Sequence, residues 1–142
     1  MHAHQFTDGS AARDFCLAGK AYVTFVSKKS GTRFTFRIAR PDENSPWFVG
    51  VLPGPSNTRD YTFLGTIFAD RAFKHGRKSR IGKDAPSARA FAWMWPILAR
   101  GELSDLCEVW HDGRCGRCGR MLTDSSSIEA GLGPVCEEKE AA

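Results

Sequence analysis

Apolar and polar residues alternate with a period of two through the first half of the chain. AYVTFVS, at 21–27, is rich in β-branched and aromatic residues. RFTFRIAR, at 33–40, places Phe34, Phe36 and Ile38 on one side and Arg33, Thr35 and Arg37 on the other. The first set is expected to face a core and the second to face solvent. SKKSG at 27–31 and PDENSP at 41–46 read as turns around these segments. WFVGVL (47–52) and YTFLGTIFA (61–69) read as two further strands, separated by the Pro-, Gly- and Asn-marked loop 53–60. Short connections between neighbouring strands favour an antiparallel meander.

The period then changes to that of a helix. Ala88, Phe91, Ala92, Trp95 and Ala99 form one stripe, which predicts a helix over 86–100. Pro86 suits its first turn, with Asp84 or Ser87 as the cap. Pro96 predicts a kink or a division, and Gly101 a stop. Trp93 and Trp95 both read as core residues packed on the sheet. Arg13–Leu17 could belong to a short helix. The expected fold is α+β: an antiparallel four-stranded sheet with one packed helix in residues 1–104. A small zinc-knuckle module in residues 105–142 would follow.

Composition narrows the class. The chain has 142 residues, 42% hydrophobic and 25% charged, with ten Phe and four Trp, which is enough for a real core. No apolar run approaches the ~20 residues that span a bilayer. The N-terminus lacks the basic start and apolar stretch of a signal peptide. The expected location is the cytoplasm, with no membrane partner. In that compartment CxxC points to metal or catalysis before a disulfide, and five cysteines fit a disulfide framework poorly.

Three of those cysteines lie in HDGRCGRCGRMLTDSSSIEAGLGPVC, residues 111–136. Cys115 and Cys118 form CGRCG, in which Gly116 and Gly119 tolerate the positive φ of a tight knuckle. A structural zinc needs four ligands, and Cys136 is the third. The fourth is His111, which lies close to the knuckle, or Cys107, which sits in the apolar run SDLCEVW. Cys16 reads as a small buried residue. A redox CxxC would follow a buried strand in a βαβ pattern, and none precedes this one. One structural Zn²⁺ is therefore expected. Leu122, Ile128, Leu132 and Val135 could form a mini-core around it.

This tail resembles a family of uncharacterised zinc-binding segments in bacterial and phage proteins. The shared residues are His111, Cys115, Cys118, Leu122, Thr123, Ser127, Ile128, Gly131, Gly133, Pro134 and Cys136. Ser125 departs from the proline common there. The resemblance covers about the last quarter of the chain and implies zinc bound by His111, Cys115, Cys118 and Cys136. It also implies a bacterial or phage-encoded setting, and leaves residues 1–100 unassigned.

Charge suggests what the scaffold carries. The formal net charge is +4. Arg114, Arg117 and Arg120 recur every three residues through the knuckle, and Arg71, Lys74, Arg77, Lys78, Arg80 and Lys83 crowd the connector 71–84. With Arg33 and Arg37 they form a candidate surface for nucleic acid. The alternative is a phage or mobile-element interaction module that inhibits or adapts a host nucleic-acid-processing or defence complex. No P-loop, nucleophile elbow or catalytic zinc signature is present, so no enzyme activity is expected.

Overall fold

A computed structural model describes residues 4–52 and 61–117 of the chain. Its strands are β1 (His4–Gln5), β2 (Lys20–Ser27), β3 (Arg33–Ala39), β4 (Trp47–Val51), β5 (Thr62–Ile67), β6 (Phe73–His75) and β7 (Cys107–His111). Its helices are α1 (Gly9–Cys16) and α2 (Pro86–Ala99). The strands form one antiparallel sheet in the order β1-β7-β2-β3-β4-β5-β6.

The expected four-stranded sheet with one helix is thus corrected to a mostly β fold of seven strands and two helices. The four long strands and α2 lie where the periodicity put them. The additions are short. β1 has two residues and β6 three, too few to show a period. β6 lies inside the basic connector, and β7 lies on the cysteine-rich side of the 104/105 division. Yet β7 is hydrogen-bonded between β1 and β2, so a strand from the tail is built into the sheet. α1 is capped by Asp8, whose carboxylate accepts from the Ser10 and Ala11 amides.

Both helices pack on one face. There, Ala21, Val23 and Phe25 of β2 meet Phe36 and Ile38 of β3, Val49 of β4 and Ile67 of β5, all buried. α2 adds Phe91, Met94, Trp95 and Leu98. Phe91 is the hub: its ring lies 4.9 Å from Phe36, 4.8 Å from Phe73, 5.8 Å from Phe25 and 5.9 Å from Trp95. The Trp95 indole donates to the Arg71 carbonyl at 2.8 Å, tying the basic connector to the core. α2 runs through Pro96 as one helix instead of dividing. Neither Asp84 nor Ser87 caps it; the cap position is Ala85, followed by Pro86. Gly101, at φ 75°, sits just past its end, where a left-handed residue is needed.

Trp93 departs from expectation. It stands 48% exposed on the outer side of α2, while Trp95 is buried. Replacing Phe91 by Ala should therefore cost about 3–5 kcal/mol, through lost transfer energy and an unfilled cavity. Trp93→Ala should cost less than about 1 kcal/mol. Urea denaturation of the two variants measures the contrast.

Candidate metal half-site and cationic sheet face

β7 delivers His111 to the helix-covered face. Side chains alternate along a strand, so Cys107, Val109 and His111 point to the core while Glu108 and Trp110 point away. His111 is 3% exposed. It sits among Phe6, Phe15 and His4, with ring centroids 5.0, 5.3 and 5.3 Å away. The Gly113 amide donates to its Nδ1 at 3.0 Å. In the neutral ring the lone pair is then on Nδ1, on the side that the following turn approaches.

That turn carries Cys115, itself 1% exposed. The Arg117 amide donates to its Sγ at 3.4 Å. Gly116 acts differently from the sequence-based reading, and Gly119 lies outside the described residues. Gly113 takes the positive φ, at 89°. Gly116 provides space instead: a Cβ there would lie 2.6 Å from Phe15 Cδ1 and 2.8 Å from the Phe15 carbonyl oxygen. Phe15 thus packs against both His111 and the knuckle backbone. The Gly116 carbonyl accepts from the Lys20 amide at 2.7 Å, which fastens the knuckle to the start of β2.

His111 and Cys115 suit a zinc ion by donor type, but the Nδ1 lone pair of His111 already accepts the Gly113 N–H, so a metal bound there would have to displace that bond. Cys118 and Cys136 lie outside the described residues, as do Arg120 and the expected mini-core. Among the described residues no three metal-binding side chains come together. Cys107 lies four residues from His111 along β7, about 13 Å at strand spacing. Bonds of about 2.0–2.3 Å cannot bring both to one ion, so the two remain alternatives for the fourth ligand. Burial raises the Cys107 thiol above its usual pKa, and raises the fully buried Cys16 thiol much further.

The opposite face of the sheet is free of helix among the described residues. Tyr22 and Arg37 are register partners there, as are Thr24 and Thr35, and Thr24 and Trp110. Arg114 lies over the Tyr22 ring at 4.1 Å, and its guanidinium reaches Asp112 Oδ2 through Nε at 2.8 Å and Nη2 at 2.6 Å. It is a paired and stacked cation. Tyr61 packs against Tyr22 with ring centroids 5.8 Å apart and the rings tilted by 58°, and it crosses Gly50, where a Cβ would lie 3.0 Å from Tyr61 Cβ.

The cations counted in the sequence separate into two groups. Arg71, Lys74, Arg77, Lys78, Arg80 and Lys83 are all exposed around β6 and its connector. β6 lies five strand spacings from β7, roughly 24 Å. They therefore form no single patch with the knuckle. Arg33 is exposed on the open face near Val26 and Glu108. Arg37 and Arg117 instead line one hollow of about 660 Å³, which also holds Lys20, Arg40 and Phe48. The sequence reading missed those last three. Their signal was the hairpin register: pairing 21–27 with 33–40 also brings Lys20 beside Ala39.

A model of a family of unknown function (DUF6011) matches residues 111–141, that is, 31 of the 142 residues. The tail is thus like that uncharacterised domain, and the match begins at the last residue of β7. No curated protein and no solved structure matches the chain. No helix among the described residues is long and apolar enough to cross a membrane.

The open face has a titration of its own. Burial, and to a lesser extent the neighbouring Tyr22, push Tyr61 up to about 12, with Arg114 and Arg37 opposing. The fold holds the neutral phenol, whereas an unfolded tyrosine ionises near 10. Its contribution to stability is therefore complete below about pH 10 and falls as pH rises towards about 12. Tyr61→Phe should remove the late tyrosinate absorbance step and part of the alkaline loss of stability. A spectrophotometric titration paired with melts across that range reads both.

Proposed function

We propose that the protein is a small zinc-binding protein that binds nucleic acid through a surface its metal centre helps to fix. One structural zinc would be held by His111, Cys115, Cys118 and Cys136. Its chemistry there is cross-linking: four ligands bind the tail to the end of β7, worth an apparent ~10–16 kcal/mol in small zinc modules. A bacterial or phage-encoded setting, in the cytoplasm, belongs to the same reading.

One observation carries the nucleic-acid half. Cationic and aromatic side chains share the helix-free face: Arg37, Arg114, Tyr22, Tyr61 and Trp110, bordered by the hollow with Lys20, Arg40 and Arg117. Guanidinium groups suit phosphate, and aromatic faces suit bases. A second reading, a protein-interaction module, draws on a different place. Trp93, Leu106, Phe25 and Phe34 line a mostly apolar hollow of about 670 Å³ beside α2. Both Trp93 and Leu106 are exposed. Exposed apolar surface of this kind suits a protein partner better than a phosphate backbone.

Metal analysis of the purified chain should give one zinc per molecule, absent from Cys115→Ser and kept in Cys107→Ser. A zinc-free wild type would remove the metal half of the proposal.

Fluorescence anisotropy with labelled oligonucleotides should show binding at ~50 mM salt that weakens steeply towards ~200 mM. Absence of binding at the lower salt would remove the nucleic-acid half and leave the protein-partner reading.

A further inference from the structure

The hollow at the open end of β2, β3 and β4 is built differently from the rest of the basic surface. Lys20 and Arg37 lie on the open face of the sheet, over Ala39, whose small side chain leaves room between them. Arg40 follows at the end of β3, with its guanidinium carbon 4.3 Å over the Trp47 ring. Arg117 closes the side nearest the knuckle. Two carboxylates share the rim. Asp42 is committed to its own turn, accepting from the Asn44 amide at 2.9 Å and the Ser45 hydroxyl at 3.0 Å. Glu43 contributes its carbonyl to Arg40 at 3.5 Å. Lys20, Arg37 and Arg40 form no ion pair with any described carboxylate. Set against Asp42 and Glu43, the four cations leave the lining of the hollow a net formal charge of +2.

Phe48 gives this charge a companion. It pairs with Ala39, so its ring stands on the same face beside the cations, 46% exposed. Among the described residues it stacks on no other ring, unlike Tyr22, which is covered by Arg114 and Tyr61. An anion site with one uncovered aromatic face at its edge matches a nucleotide: phosphate among the cations, base on the ring. A duplex keeps its bases stacked on one another, whereas a single strand can turn a base out onto a protein ring.

We infer that this hollow is a nucleotide-phosphate site through which the protein grips single-stranded nucleic acid, with Lys20, Arg37, Arg40 and Arg117 around the phosphate and Phe48 under the adjoining base. This rests on the nucleic-acid reading above, but the hollow has a readout of its own. The Trp47 indole, whose N–H donates to the Leu17 carbonyl at 3.0 Å, lies outside the hollow but under Arg40, which lines it, so a ligand that draws on Arg40 is expected to shift the Trp47 resonance.

The test uses the full-length, metal-replete chain. Thymidine 5′-monophosphate should shift the Trp47 indole resonance in a nitrogen-15 spectrum, and thymidine should not. Anisotropy with an oligothymidylate should show tighter binding than with a duplex of equal length. Lys20→Gln with Arg37→Gln should weaken the single strand tenfold or more and flatten its salt dependence, by a slope of about 0.7 for each phosphate no longer neutralised. Phe48→Ala should weaken it at least fivefold with the slope unchanged. Should the double variant fold poorly, Lys20→Gln alone, at an exposed position, carries the same comparison. An unmoved Trp47 resonance, with oligonucleotide binding abolished in Lys78→Gln/Lys83→Gln but intact in the hollow variants, would overturn the inference and leave nucleic-acid binding standing. A nucleotide that shifts Trp47 while no oligonucleotide binds would overturn nucleic-acid binding and the single-strand grip together, keeping only a mononucleotide site.

Discussion

Five residues, Cys107–His111, lie between β1 and β2 and exchange backbone hydrogen bonds with both. Much of the functional surface depends on that insertion. Strand parity puts His111 on the core face and Trp110 on the open face. A slip of one residue would exchange them, burying the indole and exposing the imidazole. The burial of Val109 and the packing of the His111 ring against Phe6 and Phe15 favour this register. From that register the next few residues inherit their places. Cys115 and Gly116 fold back under Phe15, and Arg114 emerges over Tyr22. The knuckle is an extension of a central strand, and both sheet faces meet at it.

The long elements could be read from the chain because they bury one face and wet the other. β2 through β5 and α2 each carry enough residues for a period to show. The short elements could not be read this way. β1 and β6 are held by their neighbours' hydrogen bonds, not by their own pattern. β7 carried a pattern, Cys-Glu-Val-Trp-His, but the nearby cysteines suggested a separate module, and its partners are some eighty residues or more away in sequence. Such long-range pairing leaves no local trace. At the site, residue types were legible and their company was not. Arg114 looked like a free cation because nothing in the sequence reveals that Asp112 turns towards it and Tyr22 lies beneath it.

The metal proposal changes meaning in this setting. The sheet has an aromatic core around Phe91, to which β7 adds Val109. A zinc bound through His111 would couple the tail to the register of β7. Its binding energy would then oppose any motion that detaches the knuckle from Phe15 or Lys20. The chemical role of such an ion would be to hold the Arg114–Arg117 turn rigid against the sheet, so that the cations there would present one geometry to a partner.

The two groups of cations should then differ in what they do. Those around β6 are numerous, exposed and surrounded by water, where salt screens a charge within about 10 Å. Under the nucleic-acid reading, their field would draw in a polyanion but discriminate poorly. Those in the hollow are fewer, yet Arg37 and Arg117 are half-buried and Arg40 lies on an indole. Partial removal from water makes each interaction stronger and more dependent on position. Steering should therefore belong to the β6 edge and orientation to the hollow beside the knuckle, even though the longer run of basic residues marks only the former.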